Sequence, residues 1–463
     1  MSAALTPRAS RIVCGGCGAA PDPDDPYPFR CPNAGDGGDH VLRRELDFAA
    51  VTFPLDDPEP DPFVRYRALS HTYHLARAHG MADDALVALT RRLDAEVARV
   101  DGRGFTTTPF AVQRALGERA GLSGLLWVKD DTGNVSGSHK ARHLFGLLLH
   151  LEVVERLGLV DAAARPDLAV ASCGNAALAA AVVAAAGRRR LRVFVPTDAE
   201  PTALARLQRL GADVSMCSRQ PGVPGDPTYR ALREALAAGA LPFTCQGNEN
   251  GLTIQGGETI GYEMVAGLAA AGAVLDDVVV QVGGGALASA VAAAFAEATA
   301  LGILTRAPRL HTVQTESAWP LKRAYDLVAD RLPQDAGPAE LQAALRDAAR
   351  HRASFMWPWE TEPHSIAHGI LDDETYDWLA VVQAMLTTSG RPVVVGEDAL
   401  ARANALAVEN TGILVDATGS AGLAGLIELR RLGVISPDAR VAVLFTGVRR
   451  KPSQTAALES ERG

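Results

Sequence analysis

Residues 168–186 read LAVASCGNAALAAAVVAAA. The first four are apolar and bounded by a turn of small polar residues, which is the length and punctuation of a buried strand. The alanine-rich remainder is long enough for three helical turns and favours helix residue by residue. The same theme recurs outward in both directions. A strand over 124–129 leads through a turn into a helical pattern over 140–157, and a strand over 191–195 is followed by a helix over 201–210. The apolar run 277–282 enters Gly283, Gly284 and Gly285 and then another alanine-rich helix, and strands are expected at 311–315, 413–416 and Val441–Phe445, with a helix over 419–429 between the last two. Strands of parallel-sheet length alternating with helices define an α/β fold.

A chain of 463 residues exceeds what one core usually supports, so two open α/β domains are expected. Residues 61–135 with 270–463 form the larger, residues 136–269 a smaller mobile one, and residues 1–60 a small extension rich in Cys, Pro and Asp. The region 302–363 gives no clear period beyond some helix and one long loop. The charge balance, 45 basic against 54 acidic residues, and the lack of a Lys/Arg block argue against nucleic-acid or membrane-surface binding; a local basic pocket for a small anion remains compatible. MSAALTPRAS lacks the apolar core of a secretory signal, and the apolar stretches 176–186 and 278–294 read as buried elements instead of membrane spans. A cytoplasmic monomer or homodimer is expected, with no disulfide scaffold.

Four segments at strand-to-loop transitions carry candidate chemistry, on the side of an open sheet where ligands gather. In NVSGSHKAR, Lys140 follows a serine-rich turn and opens a helix. Backbone N–H groups there disfavour further positive charge, and amine nucleophilicity requires loss of the proton; the alternative is a capped helix with a solvated lysine. Gly283–Gly285, followed by Ala286 and Leu287, would let N–H groups approach an anion at a helix start, or serve tight packing alone. The spacing lacks the last glycine of a dinucleotide fingerprint, since position 288 is alanine. Ser172, Cys173, Gly174, Asn175 and Ala176 offer hydroxyl, amide and backbone donors for a carboxylate, or a helix cap beside a buried thiol. Thr446, after VAVLF, sets a hydroxyl at a sheet's carboxyl end, or makes a simple turn with Gly447.

Together, in this order and spacing, SGSHK, SCGNA, the glycine run and FTGVRRK resemble the fold type II (tryptophan synthase β-like) pyridoxal 5'-phosphate enzymes, closest to the threonine synthase branch, over residues 107–451. The resemblance implies a cofactor between two domains, held by Lys140, by Asn175, by a phosphate cup at Gly283–Leu287 and by Thr446 near the pyridine nitrogen, with Ser172–Ala176 lining the substrate carboxylate. A hydroxyl instead of a carboxylate at that nitrogen suits elimination and replacement chemistry. It further implies Lys140 as the base at the α-carbon of a small amino acid. On that resemblance the substrate is O-phosphohomoserine in a threonine synthase-like reaction. The alternatives are serine or threonine in an ammonia-lyase, a β-replacement enzyme, or a non-catalytic ligand sensor on the same scaffold. Cationic candidates for a substrate phosphate are Arg142, His143, Arg449, Arg450 and Lys451. His139 and Ala141 stand where many relatives carry Phe and Asp, Cys173 stands where Ser or Thr is common, and Ser-His-Lys is similar to the tryptophan synthase β branch.

Two segments lie outside that set. Cys14-x-x-Cys17 with Cys31 resembles a zinc knuckle of the kind some threonine synthases carry, with His40 or Asp36 standing in for a fourth cysteine; the alternative is a metal-free knuckle. In SIAHGILDDETYDW, residues 365–378, DDET reads as a helix start and resembles an active-site-side segment of threonine synthase-like proteins; His368 either touches substrate or caps and packs.

Overall fold

The computed structural model describes residues 8–450 apart from 198 and 220–225. In chain order its strands are β1 (Ser10–Cys14), β2 (Leu42–Leu46), β3 (Phe110–Val112), β4 (Leu126–Asp130), β5 (Leu168–Ala171), β6 (Leu191–Pro196), β7 (Asp213–Cys217), β8 (Leu241–Pro242), β9 (Asp277–Gln281), β10 (Arg309–Thr315), β11 (Pro392–Val395) and β12 (Val441–Phe445). β1 and β2 make an antiparallel ribbon. A six-stranded sheet runs in the order β11-β10-β9-β12-β4-β3, and a four-stranded one runs β7-β6-β5-β8. Every pairing in the two larger sheets is parallel except β3 with β4. Helices cover both faces, which is why DVVVQ in β9 and VAVLF in β12 are buried at every position.

Strand order positions the site. β9, β12 and β4 are neighbours in the larger sheet, so the segments after residues 130, 281 and 445 emerge side by side at its carboxyl edge. Small residues let the covering helices approach closely. A Cβ on Gly146 of the helix Lys140–Arg156 would lie 3.1 Å from Gly256 Cα in the helix Thr253–Ala270, and one on Gly261 would lie 2.4 Å from Ala294 Cβ in the helix Ala286–Ala300.

Several sequence expectations shift. Residues 413–416 do not form a strand. Gly412 ends the preceding helix in the left-handed region, and only Val415 pairs, as an isolated bridge to Val448. DDET does not start a helix either, since the next one is Trp378–Thr387 with Asp377 at its cap. The region 302–363 holds the helices Pro320–Ala329 and Pro338–Arg350. No helix among the described residues is long and apolar enough to cross a membrane.

Candidate active site

The lysine turn is shaped by strain and by stitching. Ser136 (φ 58°) and Gly137 (φ 74°) both take the left-handed conformation, unusual for serine. A Cβ at residue 137 would sit 2.5 Å from Val448 Cγ1, so only glycine fits. The turn is then sewn to the end of β12: His139 N–H donates to Thr446 O (3.1 Å), Val448 N–H to Gly137 O (2.9 Å), and Ser138 bridges Gly447. Lys140 therefore opens its helix beside Thr446. Its charge reaches the buried His139, His143, Cys245 and Asp377 and the half-buried Asp372. Burial and then Lys140 hold His139 well below the usual histidine range and His143 down to about 3, so both rings are neutral. The Ser138 hydroxyl, His139 Nε2, His143 Nε2 and the Thr253 hydroxyl are buried without a hydrogen-bond partner in this neighbourhood.

Gly283–Gly285 follow β9 and open the helix Ala286–Ala300, with Gly285 at φ 100°. Residues 370–377 lie across this loop as a strap. A Cβ at Gly283 would meet Asp372 Oδ2 at 2.2 Å, and one at Gly284 would meet Tyr376 Cδ2 at 2.9 Å. Thr375 Oγ1 donates to Gly283 O (2.9 Å) and Asp377 N–H to Gly284 O (3.0 Å). Tyr376 stacks on Tyr229, whose helix packs on the smaller sheet, so the strap joins both sheets. The Asp372 carboxyl takes the Gly284 N–H. Burial pushes it up to about 6, against the pull of Lys140 and that N–H. A glycine loop at a helix start that already carries an anionic oxygen on its amide has the donor set a phosphate monoester needs, so the residues present fit the phosphate of pyridoxal phosphate.

Thr446 is buried, and its Oγ1 accepts from Gln281 Nε2 (2.7 Å), which leaves the hydroxyl proton free to be donated onward. Gln281 is held in turn by Gly419 O (2.9 Å) and Leu444 O (3.2 Å). Asn175 begins the helix Asn175–Ala186 after β5; its amide donates to the half-buried Asp416 carboxylate and accepts from Arg450. Ser172–Ala176 are half-buried, with Ser172 Oγ accepting from Gly174 N–H (3.3 Å).

The structure thus brings Lys140, Thr446 and Asn175 to one seam, with Gly283 facing a strap that Lys140's charge reaches. The expected phosphate cations behave otherwise. Arg142 is fully buried in a cluster with Asp131 and Glu263, His143 is neutral and bonded to Thr253 O (2.8 Å), and Arg449 and Arg450 are tied to Asn404 and Asn175. Lys451 lies outside the described residues. His368 is exposed, with Nδ1 3.4 Å from Ile366 O, so the packing role expected for it does not hold. The sequence reading missed Gln281, Asp372, Asp377 and Asp416. A polar residue closing a strand of valines was the available signal for Gln281; the three acids act through contacts remote in sequence. Cys14, Cys17, Cys31 and His40 converge separately, on the β1–β2 ribbon.

Asp377 yields a test. Burial and the neighbouring Asp39 push its carboxyl up to about 8. Below pH 4 it is protonated both folded and unfolded. Between pH 4 and 8 only the unfolded chain ionises, so stability falls across that window and levels off above it. Asp377→Asn is expected to make the fall in melting temperature over pH 4–8 shallower and to stabilise the protein at pH 8 by about 1 kcal/mol or more. An unchanged slope in thermal melts would refute this.

Residues 103–447 match the family described as pyridoxal-phosphate dependent enzyme. Threonine synthase from Methanocaldococcus jannaschii is 24% identical over 337 residues, 73% of this chain and 73% of that protein. Threonine synthase from Methanosarcina acetivorans is 25% identical over 349 residues, 75% of this chain and 76% of that one. Among solved structures, the processed form of threonine deaminase isoform 2 from Solanum lycopersicum shares the fold with a TM-score of 0.56 at 16% identity, covering 82% of this chain and 94% of that chain. The family match runs from before β3 through the Thr446-Gly447 turn, well over half of the sequence, and the chain belongs to the pyridoxal-phosphate dependent enzymes.

Proposed function

We propose that the protein catalyses an elimination or replacement reaction on a small amino acid, in threonine synthase-like form the conversion of O-phosphohomoserine and water to threonine and phosphate. The observation that carries this is the stitching of the lysine turn to Thr446-Gly447, with Lys140's charge reaching the strap over the glycine loop. The curated relatives named threonine synthase support the substrate.

Pyridoxal phosphate, when bound, supplies an electron sink at the substrate's α-carbon. Lys140, Asn175, Thr446 and the amides of Gly283–Leu287 would hold it. Lys140's amine takes the proton from Cα. Thr446, oriented by Gln281, donates a hydrogen bond instead of a full charge. Backbone and hydroxyl donors of Ser172–Ala176 orient the substrate carboxylate. The strap lies on the glycine loop, where it would help keep water from the bound phosphate. In the threonine synthase-like reaction a second proton leaves Cβ, the Cγ–O bond breaks with phosphate departing, water adds its hydroxyl at Cβ, and Cγ is protonated.

One observation favours a second reading, elimination from unphosphorylated serine or threonine to a 2-oxo acid and ammonia. Arg142, His143, Arg449 and Arg450 are each neutral or already hydrogen-bonded, so none of these four is free for a second phosphate. A panel of O-phosphohomoserine, serine, threonine and O-acetylserine on cofactor-loaded protein separates the two. Phosphate plus threonine is the expected result. A 2-oxo acid from serine or threonine, without threonine from the phosphorylated substrate, replaces it with the ammonia-lyase reading.

A further inference from the structure

The β1–β2 ribbon has five residues in each strand, and an isolated two-stranded hairpin is marginal in water, so something must hold it. Arg44 of β2 does part of this by reaching into the core to pair with Glu258 (2.7 Å) and Glu297. At the end of the ribbon where Cys14 pairs with Leu42, ligand atoms of Cys14, Cys17, Cys31 and His40 all lie within 4.8 Å of one another. Cys14 Sγ is 3.6 Å from His40 Nδ1, and Cys17 Sγ is 3.6 Å from Cys31 Sγ. A tetrahedron with zinc–sulfur bonds near 2.3 Å and zinc–nitrogen bonds near 2.0 Å has edges of roughly 3.5–3.8 Å, so both spacings suit a shared ion.

Backbone and side-chain donors point at the sulfurs. Cys17 N–H points at Cys14 Sγ (3.5 Å), Asn33 N–H at Cys31 Sγ (3.4 Å) and Asn33 Nδ2 at Cys17 Sγ (3.6 Å). His40 turns Nδ1 toward the sulfurs because its Nε2 is held by Asp36 Oδ1 at 2.7 Å, the carboxylate–histidine arrangement that fixes the tautomer of a metal-binding imidazole. Three soft sulfurs and one imidazole, with no fifth donor in the cluster among the described residues, select zinc and leave no open position for catalysis.

The neighbour of His40 links this cluster to the active site. Asp39 Oδ1 accepts from Trp378 Nε1 (2.9 Å) and Asp39 N–H donates to Ala349 O (2.7 Å). Trp378 is buried and directly follows Asp377, whose N–H is bonded to Gly284 O. We propose that Cys14, Cys17, Cys31 and His40 bind one structural zinc ion, and that this ion, through Asp39 and Trp378, pins the strap that lies on the glycine loop. Binding releases the three thiol protons to solvent, and no redox change is involved.

The test uses the full chain, reduced and purified without chelator. Elemental analysis is expected to find one zinc per chain. Cys17→Ser, at an exposed position, should lose it while keeping the circular dichroism of the wild type, as should His40→Ala, whereas His40→Cys should retain it. Stripping the metal from wild type should speed hydrogen exchange of the amides in 370–378 several-fold. The proposal is overturned by a chain that holds no stoichiometric zinc after reduction and incubation with zinc chloride, or by a Cys17–Cys31 disulfide in its place. It is equally overturned by exchange in 370–378 that zinc removal leaves unchanged.

Discussion

Lys140→Ala is expected to abolish the visible absorbance of the cofactor-loaded protein and to lower turnover by about a thousandfold or more, since on the proposed reading both the attachment point and the base at the α-carbon are lost with one side chain. The fold should survive. Lys140 is only half-buried at the first position of its helix, alanine is a better helix former, and the turn before it is held by backbone bonds from His139 and Val448 that the substitution leaves alone. Thermal melts within about 1 kcal/mol of wild type are therefore part of the expectation. Wild-type protein that shows no such band after cofactor addition would remove the enzymatic reading and leave the ligand-sensing one. A variant that keeps both band and turnover would reassign the lysine.

Arg142→Ala is expected to cost the most stability of any single change near the site, about 3–5 kcal/mol by urea denaturation. The guanidinium is fully buried and bonds Glu263 (2.7 and 3.1 Å), Asp131 (3.2 Å), Thr108 (3.0 Å) and Thr259 (3.1 Å), while Lys129, also fully buried, pairs with the same glutamate. Burial alone would raise the Glu263 carboxyl, but Arg142 and Lys129 together hold it below its ordinary range. Removing Arg142 leaves two carboxylates facing one lysine in the interior, and the penalty is the uncompensated charge, not the lost contact. Adding Glu263→Gln to Arg142→Ala should recover part of the loss. Full additivity of the two changes would show that they do not share a cluster. Activity should fall with stability, because Arg142 fixes the helix turn that carries Lys140.

Arg142 also shows where sequence reading reaches its limit. It stands two residues after Lys140, and proximity in sequence made it a candidate for binding phosphate. On a helix, residues two apart point in nearly opposite directions, so the arginine faces the core when the lysine faces the strap. Strands such as Leu168–Ala171 and Val441–Phe445 were legible to the residue because burial on both faces makes them short unbroken apolar runs between turn residues. β7, with Asp213 and Ser215 exposed, carries no such run. The residues around Lys140, Gly283 and Thr446 were legible because small and polar residues interrupt the pattern at strand ends. Asp372, Asp377 and Asp416 were not, because the strap has no period and each acid gains its neighbours only from tertiary packing. Gln281 reaches Thr446 across 165 positions, a pairing that nothing local announces.

The position of β12 has a consequence for how the molecule is made. It lies in the middle of the larger sheet, between β9 and β4, yet consists of residues 441–445. A nascent chain that has not yet delivered Phe445 carries two unfilled strand edges lined with valine and leucine, open to mispairing with other chains. The same insertion brings Thr446 to the lysine turn, so the strand pairing that completes the sheet also joins the two turns of the candidate site.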